Sequence, residues 1–155
     1  GSVRRCLIDQ SEHYPRTDSA IIVLIKNDKD QILLGRQKVW PKYRFSTFAG
    51  FVEPGESFEH CVIREVREEA GVELTKINYL GSQPWPFPAS LMFGCAGEAT
   101  SKKINIDPVE IEDAMWVTRE DMMRAFSGEH PSILPARKGA IAHFLLENWL
   151  ADTLD

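Results

Sequence analysis

Residues 50–72 open Gly50-Phe51-Val52-Glu53-Pro54-Gly55-Glu56-Ser57 and close Arg64-Glu65-Val66-Arg67-Glu68-Glu69-Ala70-Gly71-Val72. Ser57 is suited to cap a helix start, and Gly71 to end one in the left-handed region. Together they predict a helix from Ser57 to Ala70. At about 100° per residue, Phe58, Cys61, Val62 and Val66 form one apolar stripe. Glu65 and Glu69 fall inside that stripe, and Glu68 lies at its edge, one turn from Glu65. Three glutamates on a helix are ordinarily a solvated face. Two that point with the apolar residues should instead enter a cleft, where they must be protonated or neutralised by cations. Clustered carboxylate oxygens are hard ligands that suit Mg²⁺ or Mn²⁺. Arg64 and Arg67 fall on other faces and are expected to make structural ion pairs. Gly50 ends a strand where the backbone must approach another group closely, and Gly55 permits the turn into the helix.

On either side of this helix the pattern is that of strands. Ala20-Ile21-Ile22-Val23-Leu24-Ile25 is a β-branched run that reads as a buried strand. Asn27-Asp28-Lys29-Asp30 is a turn, and Gln31 to Arg36 the returning strand. After the helix, Val72 to Gln83 predicts a strand broken by Pro84-Trp85-Pro86-Phe87-Pro88. Further strands are predicted at 91–99 and 114–117. Thr118 and Asp121 resemble a capping box opening a short helix. A last amphipathic helix is predicted from Arg137 to Leu150. The expected class is α+β, one domain with a mixed sheet between helices. Residues 1–18 read as a lead-in segment and 19–155 as the catalytic domain.

The 155 residues and their 43% hydrophobic and 26% charged content fit a single packed domain. A net charge of −5 argues against a dominant nucleic-acid footprint and makes bridging cations useful to any anionic substrate. Cys6, Cys61 and Cys95 are odd in number and widely spaced, which favours free thiols and a reducing, intracellular compartment. No apolar run reaches the ~20 residues that span a bilayer. Gly1-Ser2 reads as a scar of expression, so the organelle is not legible from that end.

The spacing G-x5-E-x7-R-E-U-x-E-E-x-G-U, with U aliphatic, runs through residues 50–72. It resembles the Nudix box throughout, and a chance match is on the order of one in a billion per starting position. Ser82-Gln83-Pro84-Trp85-Pro86-Phe87-Pro88-Ala89-Ser90 is similar to the SQPWPFPxS motif of the NADH pyrophosphatase, NudC-like branch. The resemblance extends from Tyr14 to the last helix. It implies an α/β/α sandwich and hydrolysis of the pyrophosphate of NADH or NAD⁺ to NMNH or NMN and AMP, using two or three Mg²⁺ or Mn²⁺ ions. By that likeness Glu65, Glu68 and Glu69 are catalytic and, with Glu110, metal ligands; Glu69 is the candidate to activate water. Phe51, Tyr14, Gln83, Trp85 and Ala142 match substrate-binding positions, Tyr14 reaching the site of a partner in a homodimer. His143 beside Ala142 reads as a surface histidine. Relatives carry a four-cysteine zinc ribbon of which only Cys6 has a counterpart, so no structural zinc is expected in this chain.

Two alternatives accompany this reading. The same site can remove NAD caps from RNA (deNADding), with Arg36, Lys38, Lys42 and Arg44 as a steering cluster, although a solvated loop is the favoured account of that cluster. ADP-ribose and diadenosine polyphosphates are variants of the same chemistry. A Nudix-fold binding module without turnover is the alternative of another class. The intact glutamates speak against it.

Overall fold

The computed structural model describes residues 2–154. It begins with a small hairpin, β1 (Arg4–Arg5) and β2 (Glu12–His13), inside the lead-in segment. A six-stranded sheet follows, made of β3 (Asp18–Lys26), β4 (Ile32–Arg36), β5 (Phe48–Phe51), β6 (Leu74–Trp85), β7 (Ser90–Ala99) and β8 (Asp113–Val117). The strand order is β6-β7-β3-β4-β8, with β5 also pairing β3. β3 runs parallel to β7 and antiparallel to β5, so the sheet is mixed as expected.

Residues 20–25 of β3 are apolar without interruption because both faces of the strand are covered there. Ile22 and Leu24 join Ile32 and Leu34 in a core under α2 (Arg119–Phe126) and α3 (Ile141–Leu150). Ile21, Val23 and Ile25 join Leu33 in a second core under α1 (Phe58–Ala70). Alternate residues of one strand thus anchor opposite helix layers, giving the α/β/α sandwich. No helix among the described residues is long and apolar enough to cross a membrane.

The helix ends follow their capping chemistry. The Ser57 hydroxyl accepts from His60 N, and Gly71 sits at φ 65°, its N–H donating to the Arg67 carbonyl. Thr118 accepts from Asp121 N and opens α2. Two expectations need correction. β6 is not broken at the prolines but runs through Pro84 to Trp85, in register with Leu91 and Ser90. It is an edge strand, where a residue without an N–H leaves no ladder bond unmade. The last helix begins at Ile141, not Arg137. Residues 137–140 form a turn, Ala140 N donating to the Arg137 carbonyl, and Gly139 at φ 90° is incompatible with helix. Ala140 offers no side chain to cap α3. Gln83 does so from the neighbouring strand, accepting from Ile141 N at 2.8 Å and donating to the Gly139 carbonyl at 2.8 Å.

Cys61 and Cys95 are fully buried, and burial pushes both thiols up to about 12. Cys6 is partly exposed. Thiolate is the reactive form, so at pH 8 a disulfide reagent should titrate Cys6 rapidly in the native protein, and all three thiols only in denaturant. Rapid native reaction of more than one equivalent would contradict this packing.

Candidate active site

The glutamate face of α1 meets the end of β5. The carboxyl of Glu65 lies directly over the Cα of Gly50, so that a methyl group added there would overlap it. This is the close approach that the strand-ending glycine was expected to serve. Glu65 is half-buried, and burial raises its pKa although Arg64 opposes the shift.

Arg64 is not remote from this cluster. It makes structural ion pairs as expected, but they organise the site itself. Its Nε and one terminal nitrogen grip both oxygens of Glu56 at 2.9 Å, while the other reaches Glu65 at 3.0 Å and Glu68 at 3.1 Å. It also donates to the Phe51 carbonyl at 3.0 Å. The bidentate grip holds Glu56 down at about 2. The helix wheel placed Arg64 apart because a long guanidinium reaches across faces that its Cα does not share. Arg67 pairs outward with Glu73 at 2.7 and 2.9 Å.

Glu69 is the deepest carboxylate, 5% exposed. Burial pushes it up to about 8, reinforced by the charges of Glu65 and Glu110. Glu110 is brought there by the segment after β7: Asn105 N donates to the Ala70 carbonyl, Asp107 N to that of Glu69, and a tight turn stabilised by Val109 N on the Asp107 carboxylate follows. Glu110, some forty residues from the helix, thus lies beside Glu69, while its own side chain remains at the surface. Glu68 stays on the exposed rim, held by Arg64.

These residues fit a divalent cation by their chemistry. Glu69, Glu65 and Glu110 repel one another, and among the described residues no cationic side chain pairs with Glu69. Among the described residues the side chains do not converge into a finished ion cage. The cluster is a carboxylate-rich surface whose charge an added cation would neutralise.

A narrow cavity of about 50 Å³ runs from Glu69 between Thr47, Phe48, Ile111 and Trp40. Trp40 and Ser46 line it and also line a larger hollow of about 370 Å³ walled by Ile22, Trp85, Met92, Arg137 and Ala142. Two expected substrate residues, Trp85 and Ala142, therefore meet in one pocket, Ala142 on the first turn of α3. Trp40 and Arg137 carried no periodic or motif signal that would have marked them; only their nearness in sequence to known elements could have suggested them.

Phe51, 59% exposed, instead borders an open recess with Arg16, Ser19 and Glu53. Tyr14, 71% exposed, hydrogen bonds to Glu12 and lies beside Arg4 and Pro15, so a single chain does not bring it to Phe51 or Glu69. Gln83 serves as the cap of α3. His143 is not a free surface residue: it is half-buried, stacks on Phe126 and contacts the Ala136 carbonyl at 3.1 Å. The basic cluster is tied to the protein itself. Arg36 pairs with Glu112, Lys38 donates to the Pro108 carbonyl and Arg44 to that of Pro135, and Lys42 lies over the Tyr43 ring.

Comparison with known proteins agrees with this geometry. The NUDIX domain family model matches residues 15–137. The chain belongs to the Nudix family. It is 45% identical over 139 residues to the human "NAD-capped RNA hydrolase NUDT12", covering 88% of this chain and 30% of that protein. It is 41% identical over 148 residues to the "NAD-capped RNA hydrolase NudC" of Mycobacterium tuberculosis, covering 90% and 47%. These likenesses place it in the NudC-like branch, and the chain spans less than half the length of either relative. Among solved structures, a NUDIX hydrolase from Nitrosomonas europaea superposes with a TM-score of 0.72 over 96% of this chain and 78% of that one at 18% identity, a likeness of fold.

The raised pKa of Glu69 makes a prediction for the protein in excess chelator. Its folded value of about 8 exceeds the ordinary 4.5, so the folded state holds an extra proton between those values and stability falls as pH rises from about 4.5 to about 8. Glu69→Gln removes that loss. The variant should match the wild type below pH 4.5 and exceed it by on the order of a kcal/mol or more above pH 8, a rise of a few degrees in Tm for a chain of this size. Thermal melts of both proteins across pH 4–9 test it. Equal melting at high pH would place Glu69 in a less hostile environment.

Proposed function

We propose that this domain is a divalent-cation-dependent diphosphatase that cleaves NADH or NAD⁺ to NMNH or NMN and AMP. The observation that carries the reading is the junction at Trp40, where a ring-sized apolar pocket adjoins the carboxylate cluster. A dinucleotide has both parts this layout suits: a planar ring for the hollow beside Trp85 and Ala142, and a diphosphate for the Glu65–Glu69–Glu110 side. Pocket volume and the apolar lining of Ile22, Trp40, Trp85, Met92 and Ala142 suit an aromatic ring, and Arg44 and Arg137 in the same lining suit a phosphate attached to it.

Glu65, Glu69 and Glu110, with Glu68 at the rim, would hold Mg²⁺ or Mn²⁺. Bound there, the cations would neutralise the diphosphate and lower the pKa of water. Glu69 is buried among the carboxylates, and with the cations countering its neighbours' charges it would be ionised and able to accept the proton of the attacking water. Water adds to one phosphorus as the bridging P–O bond breaks, and each half leaves as a monophosphate. Arg64 keeps Glu56 and Glu65 in place beneath the reacting groups. Phe51 and a partner's Tyr14 would stack on the second base in a homodimer, with Gln83 acting through its hold on α3.

Removal of NAD caps from RNA is the second reading. The relatives' names raise it, and Arg137 and Lys138 favour it. These cations flank the pocket and the neighbouring groove, and neither makes a side-chain ion pair or hydrogen bond among the described residues. They replace the Arg36–Arg44 cluster as the candidate contacts to an RNA chain.

Turnover of NADH, NAD⁺, ADP-ribose and NAD-capped RNA with Mg²⁺ or Mn²⁺, with product identification, tests both readings. NMNH and AMP from NADH are expected, with activity lost in EDTA and restored by added cation. Glu69→Gln should fold yet lose at least about a hundredfold in kcat, the scale of general-base catalysis. Arg137→Ala with Lys138→Ala should weaken turnover of capped RNA more than of NADH, with a shallower salt dependence. Absence of turnover on every substrate would favour a binding module.

A further inference from the structure

We infer that Arg36 is a positioning residue that locks the Trp40 loop to the Glu110 loop and thereby sets the spacing between the ring pocket and the carboxylates. The inference rests on the diphosphatase reading above and adds to it the device that holds the two halves of the site together.

Arg36 is the last residue of β4. Its backbone carbonyl accepts from Glu112 N at 2.8 Å, which ties it to the segment carrying Glu110 and Ile111. Its side chain is 14% exposed. One terminal nitrogen pairs with the Glu112 carboxylate, and the other donates to the Trp40 carbonyl at 3.1 Å and toward that of Pro41 at 3.5 Å. Lys38 adds a parallel tie, donating to the Pro108 carbonyl at 2.9 Å. Each of these bonds crosses from residues 36–41 to residues 108–112, or from Arg36 to the crown of its own loop.

The two segments joined in this way each contribute to the lining of the passage to Glu69. Trp40 lines the pocket on one side and the narrow cavity on the other, and Ile111 and Glu69 complete that cavity. Glu110 lies beside Glu69. Within the Trp40 loop itself the backbone bonds are two local turns, Trp40 N to the Gln37 carbonyl and Arg44 N to that of Pro41. Those turns shape the loop but do not place it against Glu110. A planar fork is needed to serve a carboxylate and a backbone carbonyl at the same time, and an ammonium on a flexible stem cannot reproduce it. Loss of the fork should therefore disturb two things at once: the seat of the substrate ring, through Trp40, and cation affinity, through Glu110.

The test uses Arg36→Met, Arg36→Lys, Glu112→Gln and the double variant Arg36→Met/Glu112→Gln. Mn²⁺ binding is measured by electron paramagnetic resonance without substrate, and kcat and KM for NADH are measured separately. Arg36→Met should raise KM about tenfold or more and weaken Mn²⁺ binding severalfold, with far-ultraviolet circular dichroism unchanged. Arg36→Lys should not rescue either property. The double variant should be no worse than Arg36→Met alone. Unchanged KM and Mn²⁺ affinity in Arg36→Met and Glu112→Gln would overturn the inference, as would full rescue by lysine. If Arg36→Met fails to fold, Glu112→Gln decides the matter, because that carboxylate is 42% exposed and outside both cores. A wild type that binds Mn²⁺ but cleaves no dinucleotide would sink the diphosphatase reading instead; the Mn²⁺ comparison among variants would still judge the role of Arg36.

Discussion

One guanidinium, that of Arg64, makes a helix face of glutamates compatible with a folded protein. Four carboxylates, Glu56, Glu65, Glu68 and Glu69, are drawn toward the same cleft, and such a group cannot be buried together as anions without compensation. Arg64 holds three of them and the carbonyl of Phe51. It therefore fixes the loop before α1 to the helix itself. Its contacts also leave Glu69 without a cationic partner, and that asymmetry gives the cluster its chemistry. Three carboxylates share one cation, which positions them without neutralising them all, and the fourth is buried with no cationic side chain beside it among the described residues.

The rest of the fold can be understood as what keeps that fourth carboxylate in place. Val66 and Ala70 seat α1 on the odd-numbered face of β3, and Gly71 ends the helix by turning sharply against Asn105. The segment 104–112 is thereby laid along the C-terminal end of α1, and Glu110 arrives next to Glu69. Gly50 gives up its side chain so that Glu65 can lie over the strand end. At both glycines the missing side chain serves the cleft. On the diphosphatase reading stability and chemistry are opposed at Glu69: the burial that places it in the cleft penalises its charged form.

How much of this was legible in the sequence depended on how local each feature was. The box glutamates, the helix caps and the close approach at Gly50 all lie within twenty-three consecutive residues, and helical periodicity projects them directly into space. The doubly covered β3 was legible for a similar reason, since only burial on both faces allows six successive apolar residues. Glu110 was reached through likeness alone, because its place beside Glu69 follows from backbone bonds across some forty residues. Periodicity failed where a side chain was long or a cap came from elsewhere. It put Arg64 on another helix face without showing that its guanidinium reaches back to the glutamates, and it began α3 four residues early because nothing in residues 137–140 reveals that Gln83 supplies the cap. Pro84 looked like a strand breaker until the sheet order made it an edge residue.

The ring pocket is the extreme case of non-local construction. Ile22 comes from β3, Trp40 and Ser46 from the loop after β4, Trp85 and Met92 from the β6–β7 hairpin, and Ala142 from α3. No window of the sequence contains more than a fraction of it, and none of these residues is chemically distinctive alone. On the diphosphatase reading its position is nonetheless constrained, because the pocket and the carboxylates must be spanned by a single dinucleotide. A pocket assembled from four separate segments can hold that reach only if the segments are tied to one another and to the carboxylates. Gln83 ties β6 to α3, and Arg36 and Lys38 tie the Trp40 loop to the Glu110 loop. Polar side chains that would pass for ordinary surface residues in the sequence thus do the work of spacing, while the residues they space carry the chemistry.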